Sequence, residues 1–402
     1  MTKTFTSCLK IWRKRSCAAV LLNCILLISC LTGCWSQREL SNIAIVVGTG
    51  LDTSNQPDSL KLTAQVVKAS EMGSSASSQG SRTSEKAYVN ISYADQSVLS
   101  AVRGVTHMQN RRLYFSHNKV LIFSSDLAKL DMAEGLDAFT RDYEGRMDVQ
   151  LLISRGKASK ILEEEADLEK VPALHLYAMM ENQKLNSETV VITLRDFVIA
   201  TMSDSRSPVA PIIKLYKSEE GKNKVKLDGT AVFKQGKMIG ELDVAQTRGL
   251  LWVTNKAQSG ALTVNTDWGQ VILEFLHANS ILKPVKAEDG TIRMELTVHE
   301  DGAIESNETT QNMSRIENVE MLKELMKEAI QSDIQNVLAQ ARTLSADVFG
   351  FGEAIRRDYP KDWEAMKKNW DTMFPQIELD IRVDVKLRFS GGLAQPIIPG
   401  GA

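Results

Sequence analysis

Cysteine is missing from nearly all of the chain. All five cysteines lie within the first 34 of 402 residues, at Cys8, Cys17, Cys24, Cys30 and Cys34. Beyond Cys34 there can be no disulfide, no thiolate-held zinc or iron–sulfur cluster and no cysteine nucleophile. Histidine is scarce too: His107, His117, His175, His277 and His299, with no two at i, i+4 spacing and no His-Glu-x-x-His. A Walker A loop, Gly-x-Ser-x-Gly and the set formed by Ser-x-x-Lys with its companion motifs are absent. No repeat of 20–50 residues is visible. After residue 34 no apolar run approaches the roughly 18 residues that a spanning helix needs. The sequence therefore offers no catalytic constellation, no metal site and no cofactor site.

A basic surface is lacking as well. The net charge is −2, which argues against a nucleic-acid binder. Residues 1–33 contribute +5 through Lys3, Lys10, Arg13, Lys14 and Arg15, so the remainder carries −7. A surface of that balance gains little from anionic lipid, and membrane attachment needs a separate anchor.

The N-terminus supplies one. A basic segment over 1–16 precedes a 15-residue apolar run, Cys17–Leu31, which is the length of a signal-peptide core. It ends in Leu31-Thr32-Gly33-Cys34, the pattern of a bacterial lipobox. Residues 1–33 are read as a lipoprotein signal peptide and Cys34 as the acylated residue, holding the mature chain to a membrane without spanning it.

Along the mature chain, β-branched runs at 42–52, 61–69, 88–93, 119–123 and 149–154 predict strands. Helical spacing marks 95–106, 127–139, 157–165, 172–185 and 188–202. Residues 70–84 hold seven serines and two glycines and read as a loop. Gln235-Gly236 sits between two alternating runs and predicts a hairpin. A short helix is expected at 247–254 and further strands at 269–276, 291–298 and 376–389. Between the last two, Ile316, Val319, Leu322, Met326, Ile330, Ile334, Val337, Ala341 and Leu344 recur every three or four residues, the stripe of a long helix laid on a sheet. The expected class is α+β, or mixed α/β, in three domains, each a mostly antiparallel or mixed sheet with helices. These are 34–205, a small middle domain over 206–260, and 261–392, followed by a tail at 393–402.

Two features call for weighing. Gly350-Phe-Gly-Glu-Ala-Ile355 is half a dinucleotide fingerprint, but it follows a helix and lacks the third glycine, so a tight passage between helices is the better reading. Tyr359, Trp363, Trp370 and Phe374 cluster, and on a helix Tyr359, Trp363 and Trp370 share one face, the two tryptophans seven residues apart. They are read as anchors of that helix to the C-terminal sheet, with a partner contact as the alternative.

Several stretches jointly resemble one family: Cys34-Trp-Ser-Gln-Arg-Glu-Leu40, Ile43–Asp52 with Gly48-Thr-Gly50, and Gly229–Gly240 followed by Thr247-Arg-Gly-Leu-Leu-Trp252. To these are added Ser345-Ala-Asp-Val-Phe-Gly-Phe-Gly-Glu353, Tyr359-Pro-Lys-Asp-Trp363 and Trp370-Asp-Thr-Met-Phe-Pro375. They resemble the Ger(x)C spore germination lipoproteins, the C subunits of GerA-type nutrient germinant receptors, departing from them at Ser36, where aspartate is common. The resemblance implies a non-enzymatic three-domain lipoprotein on the outer face of the inner spore membrane. It also implies assembly with an A subunit and a multi-spanning B subunit, and it brings no catalytic residues. The competing reading is a lipid-anchored substrate-binding protein of a transporter, which needs two comparable lobes around a cleft.

Overall fold

Ile43–Thr53 (β1) is apolar along almost its whole length because it lies mid-sheet with a core on each face. The computed structural model describes residues 40–68, 86–141, 144–307 and 315–389. Residues 1–33, read above as a signal peptide, Cys34, the serine-rich stretch at 70–84 and the tail at 393–402 lie outside them. Ala44–Ala402 forms one compact unit. Of Met1–Ile43, the described part is one 3₁₀ turn, Leu40–Asn42, and Ile43.

After β1 come β2 (Leu60–Val67), β3 (Tyr88–Asp95), α1 (Val98–Gly104), β4 (Arg112–Tyr114), β5 (Val120–Ser124), α2 (Ser125–Leu130) and α3 (Ala133–Arg141). Then follow β6 (Gln150–Arg155), α4 (Ala158–Glu163), α5 (Pro172–Glu181), α6 (Leu194–Thr201), β7 (Val209–Lys217), β8 (Asn223–Lys234) and β9 (Lys237–Leu242). These strands form one sheet in the order β3-β2-β1-β5-β6-β7-β8-β9, with β4 added against β1. The central β1, β5, β6 and β7 run parallel, and antiparallel strands flank them on both sides. α1, α2, α3 and α6 cover one face, and α4 and α5 the other.

The remaining chain builds a second sheet, β10 (Gly260–Thr266), β11 (Gly269–Lys286), β12 (Ile292–Asn307) and β13 (Leu379–Phe389), paired in that order. The helices α7 (Val244–Val253), α8 (Ile316–Thr343), α9 (Phe351–Asp358) and α10 (Pro360–Met366) pack with it. α8 buries Leu322, Met326, Ile330, Ile334, Val337 and Ala341, the expected stripe, whereas Ile316 stays exposed at its first turn.

The mixed α/β class is as expected, and several elements differ in detail. The 206–260 block makes no sheet of its own: β7 pairs with β6, so β7–β9 extend the first sheet. The helix expected over 188–202 begins at Leu194, since Val190, Val191 and Ile192 lie in no helix and Ile192 O accepts from Leu151 N across to β6. Thr193 then caps α6 by accepting from Asp196 N. The 363–370 segment is α10, a 3₁₀ turn and a second short turn rather than one helix. Among the described residues, nine strands against four are not two matched lobes, the shape a hinged substrate-binding protein requires.

Glu300 interrupts the apolar face of β12, following Met294, Leu296 and Val298 at alternate positions. It is 2% exposed and neither carboxylate oxygen completes a hydrogen bond. Burial pushes its carboxyl up to about 8, more than the backbone of Leu276 and His277 draws it down. From the unshifted 4.5 up to about 8, the folded chain keeps a proton that the unfolded chain releases, so stability falls as pH rises through that window. Glu300→Gln should be near neutral at the acid end and stabilising by a few kcal/mol at the alkaline end. Thermal melts of both proteins across the window check this, and parallel curves would contradict it.

Candidate functional site

The signature stretches of the sequence serve two seats, and both are built by close backbone approach. The first lies on β1. A bulge between Val46 and Gly48 turns Gly48 and Gly50 toward α4 and α5. A Cβ on Gly48 would lie 2.5 Å from Ala173 Cβ, and one on Gly50 would lie 3.1 Å from Ala158 Cβ. Gly48-Thr-Gly50 is thus where two helices touch the sheet. Asp52, 1% exposed, accepts from Ala158 N (2.6 Å) and Ser159 N (3.0 Å), capping α4 from across the fold. Gln65 accepts from Ala173 N (2.8 Å) at the start of α5 and donates to Leu162 O (2.6 Å) at the end of α4.

The second seat joins the two sheets. Gln235 and Gly236 both have positive φ, the geometry of a tight hairpin between β8 and β9. Gly229, at φ +85°, leaves room for Leu242 O, which would lie 2.2 Å from an added Cβ. The buried Thr247 and Thr230 hydroxyls meet at 3.0 Å and tie α7 to β8. Asp243 and Gln246 form a capping box at the start of α7. Gly249 lets α7 reach the backbone of α8, with Asp333 O 2.2 Å from where a Cβ would be. Beside it Arg248 holds Asp333 through two bonds, Nε–Oδ2 2.6 Å and Nη2–Oδ1 3.2 Å. Burial raises the Asp333 carboxyl, and Arg248 opposes that. Trp252 is fully buried and lies 4.7 Å from Phe275 of β11, ring centre to ring centre.

The 345–353 stretch closes the joint. Lys234 at the end of β8 donates to Ser345 O (3.0 Å) and pairs with Asp371 (2.9 Å). Asp347 is buried and accepts from the backbone N–H of Gly350, Phe351 and Gly352 at 2.8–3.0 Å, fixing the start of α9. Burial raises its carboxyl to about 6 against the pull of those three donors. Gly350, at φ +82°, begins α9 in the left-handed region, as a passage between helices requires. Gly352 leaves space for Trp363, whose ring would be 2.8 Å from an added Cβ.

Trp363 and Trp370 are 2% and 4% exposed, edge to face at 5.2 Å, in a cluster with Phe349, Phe351 and Phe374. The structure places both in the core, where they anchor α10. Cys34 lies outside the described residues. His175 is half-buried on α5, and burial lowers its pKa. Among the described residues no three His, Asp or Glu side chains gather as a metal site would require. Sequence reasoning missed Arg248 and Asp333, although an aspartate on the buried stripe of a helix is itself a request for a partner.

Residues 36–215 match the family described as "Spore germination protein N-terminal domain", and residues 228–391 match "Spore germination B3/ GerAC like, C-terminal". The class is therefore that of the spore germination proteins. The chain belongs to the GerAC-like family of germinant receptor C subunits. Spore germination protein YndF of Bacillus subtilis (strain 168) is 28% identical over 404 residues, covering 94% of this chain and 98% of that protein. Spore germination protein KC of the same organism is 25% identical over 407 residues, 95% of this chain and 98% of that protein. The crystal structure of the GerBC protein superposes with a TM-score of 0.55 over 85% of this chain and 97% of that chain, at 19% identity, and so shares the fold.

Proposed function

We propose that this chain is the lipid-anchored C subunit of a nutrient germinant receptor, held by Cys34 on the outer face of the inner spore membrane and working with A and B subunits there. The observation that carries the reading is positional. The family match begins at residue 36, directly after Leu31-Thr-Gly-Cys34, so the family's own sequence starts next to the position where lipobox cleavage would leave the new N-terminus. Relatives named spore germination protein A3, B3 and KC support a setting of several subunits. The two seats support a positioning role, because their polar groups hold helix ends, backbone and, in Arg248 with Asp333, one helix to another. Acyl chains on one residue anchor strongly, at about 0.8 kcal/mol per buried CH₂. Cys34→Ala should accumulate as an unprocessed precursor without the acyl mass, and germination should weaken. Mature membrane-bound protein with an unmodified Cys34 by mass spectrometry would refute the anchor.

A further inference from the structure

The end of the first sheet where the chain enters β1 differs chemically from the rest of the molecule. Residues 96–125 carry Arg103, Arg111, Arg112 and Lys119 and no Asp or Glu, in a mature chain of net −7. Part of this stretch is fixed at that end, since β4 pairs with β1 and Lys119 N donates to Val47 O (2.9 Å). From Thr106 to Arg112 every residue is exposed, Met108 included. An apolar side chain flanked by cations suits a lipid–water interface.

β5 and β6 run parallel to β1, so their first residues share this end. There a cleft opens, lined by His117, Asn118, Lys119, Arg146, Asp148 and Tyr177. Asn118 is 5% exposed, and its Oδ1 has no hydrogen-bond partner. Lys119 Nζ stands 5.0 Å over the Tyr177 ring and, among the described residues, makes no ion pair. Arg146 is held by Asp148 through two bonds of 2.8 and 2.7 Å, which orient its guanidinium and leave other N–H groups to donate. Acids on adjoining segments are engaged elsewhere, Glu144 with Arg112 and Glu181 with Gln150. The cleft thus sets two cations, partly offset by the Asp148 carboxylate that holds Arg146 and attracts Lys119, before an oxyanion, with one buried acceptor beside them.

We propose that this cleft receives the headgroup of an anionic phospholipid, phosphate on Lys119 and Arg146 and headgroup hydroxyl on Asn118 Oδ1, so that this end of the sheet rests on the membrane. Guanidinium and ammonium groups bind phosphate by charge-assisted bonds. A phosphate beside a hydroxyl is the chemistry of phosphatidylglycerol. The inference rests on the lipid-anchor reading: Cys34 precedes Ala44 by ten residues, at most about 36 Å of chain.

The test uses the full acylated protein reconstituted in vesicles of phosphatidylcholine, with or without phosphatidylglycerol. Lysine acylation by a water-soluble reagent is read by mass spectrometry. Lys119 labelling should fall about fivefold with phosphatidylglycerol and recover at high salt. Lys222, in the β7–β8 turn at the opposite end of the sheet, should be unaffected. Equal labelling of Lys119 in both vesicles, with Cys34 acylated in the same sample, overturns the inference and leaves the anchor standing. An unmodified Cys34 overturns the anchor itself. Protection of Lys119 by inorganic phosphate over phosphatidylcholine alone, matching that by phosphatidylglycerol, overturns the lipid assignment.

Discussion

Replacing Arg248 with methionine should destabilise the folded chain by about 3–5 kcal/mol, because it strands a buried carboxylate. Arg248 on α7 and Asp333 on α8 have side chains only 16% and 9% exposed. Gly249 brings the two helices so close that the Asp333 carboxyl has little access to water once its partner is gone. The double variant Arg248→Met with Asp333→Leu should recover a good part of the loss, since no charge is then left unpaired. Denaturant midpoints of the two single variants and the double variant decide the matter. A double variant as damaged as Arg248→Met alone would place the loss in helix packing and contradict the ion-pair account.

Trp363→Ala should cost a comparable 3–5 kcal/mol through the cavity it leaves. The ring is 2% exposed, stands edge to face with Trp370 and fills the space that Gly352 vacates. That is a large share of a typical stability of about 5–15 kcal/mol. The melting temperature and the amount of assembled receptor should therefore drop together. A variant that melts like the wild type yet fails to assemble would make Trp363 a contact residue and refute its core role.

The long helix was legible because its stripe repeats at helical spacing from Leu322 to Ala341, and β1 because an apolar, largely β-branched run bounded by glycine has few other homes. The hairpin at Gln235-Gly236 was legible from turn chemistry alone. What escaped were long-range pairings. Periodicity marks β7–β9 as strands and cannot tell that they add to β6, which made the 206–260 block look separate. Strand β10 was missed because only Leu262 and Val264 mark its buried face. β11 runs ten residues past its expected end, through Ser280 and Pro284. Beyond Phe275 its second edge is unpaired, and there a proline costs no ladder bond. The glycines of the motifs were visible, and their purpose was not: Gly249 has meaning only against the backbone of Asp333, 84 residues on. Net charge hid the acid-free stretch at 96–125, since an average over 369 residues says nothing about one end of a sheet.

The central claim, a C subunit working within a germinant receptor, is tested most directly by purifying the tagged full-length protein from spore membranes and identifying the chains that come with it. The account predicts germinant receptor A and B subunits in fixed ratio to this chain. Recovery instead of a transporter permease with its ATPase would contradict it.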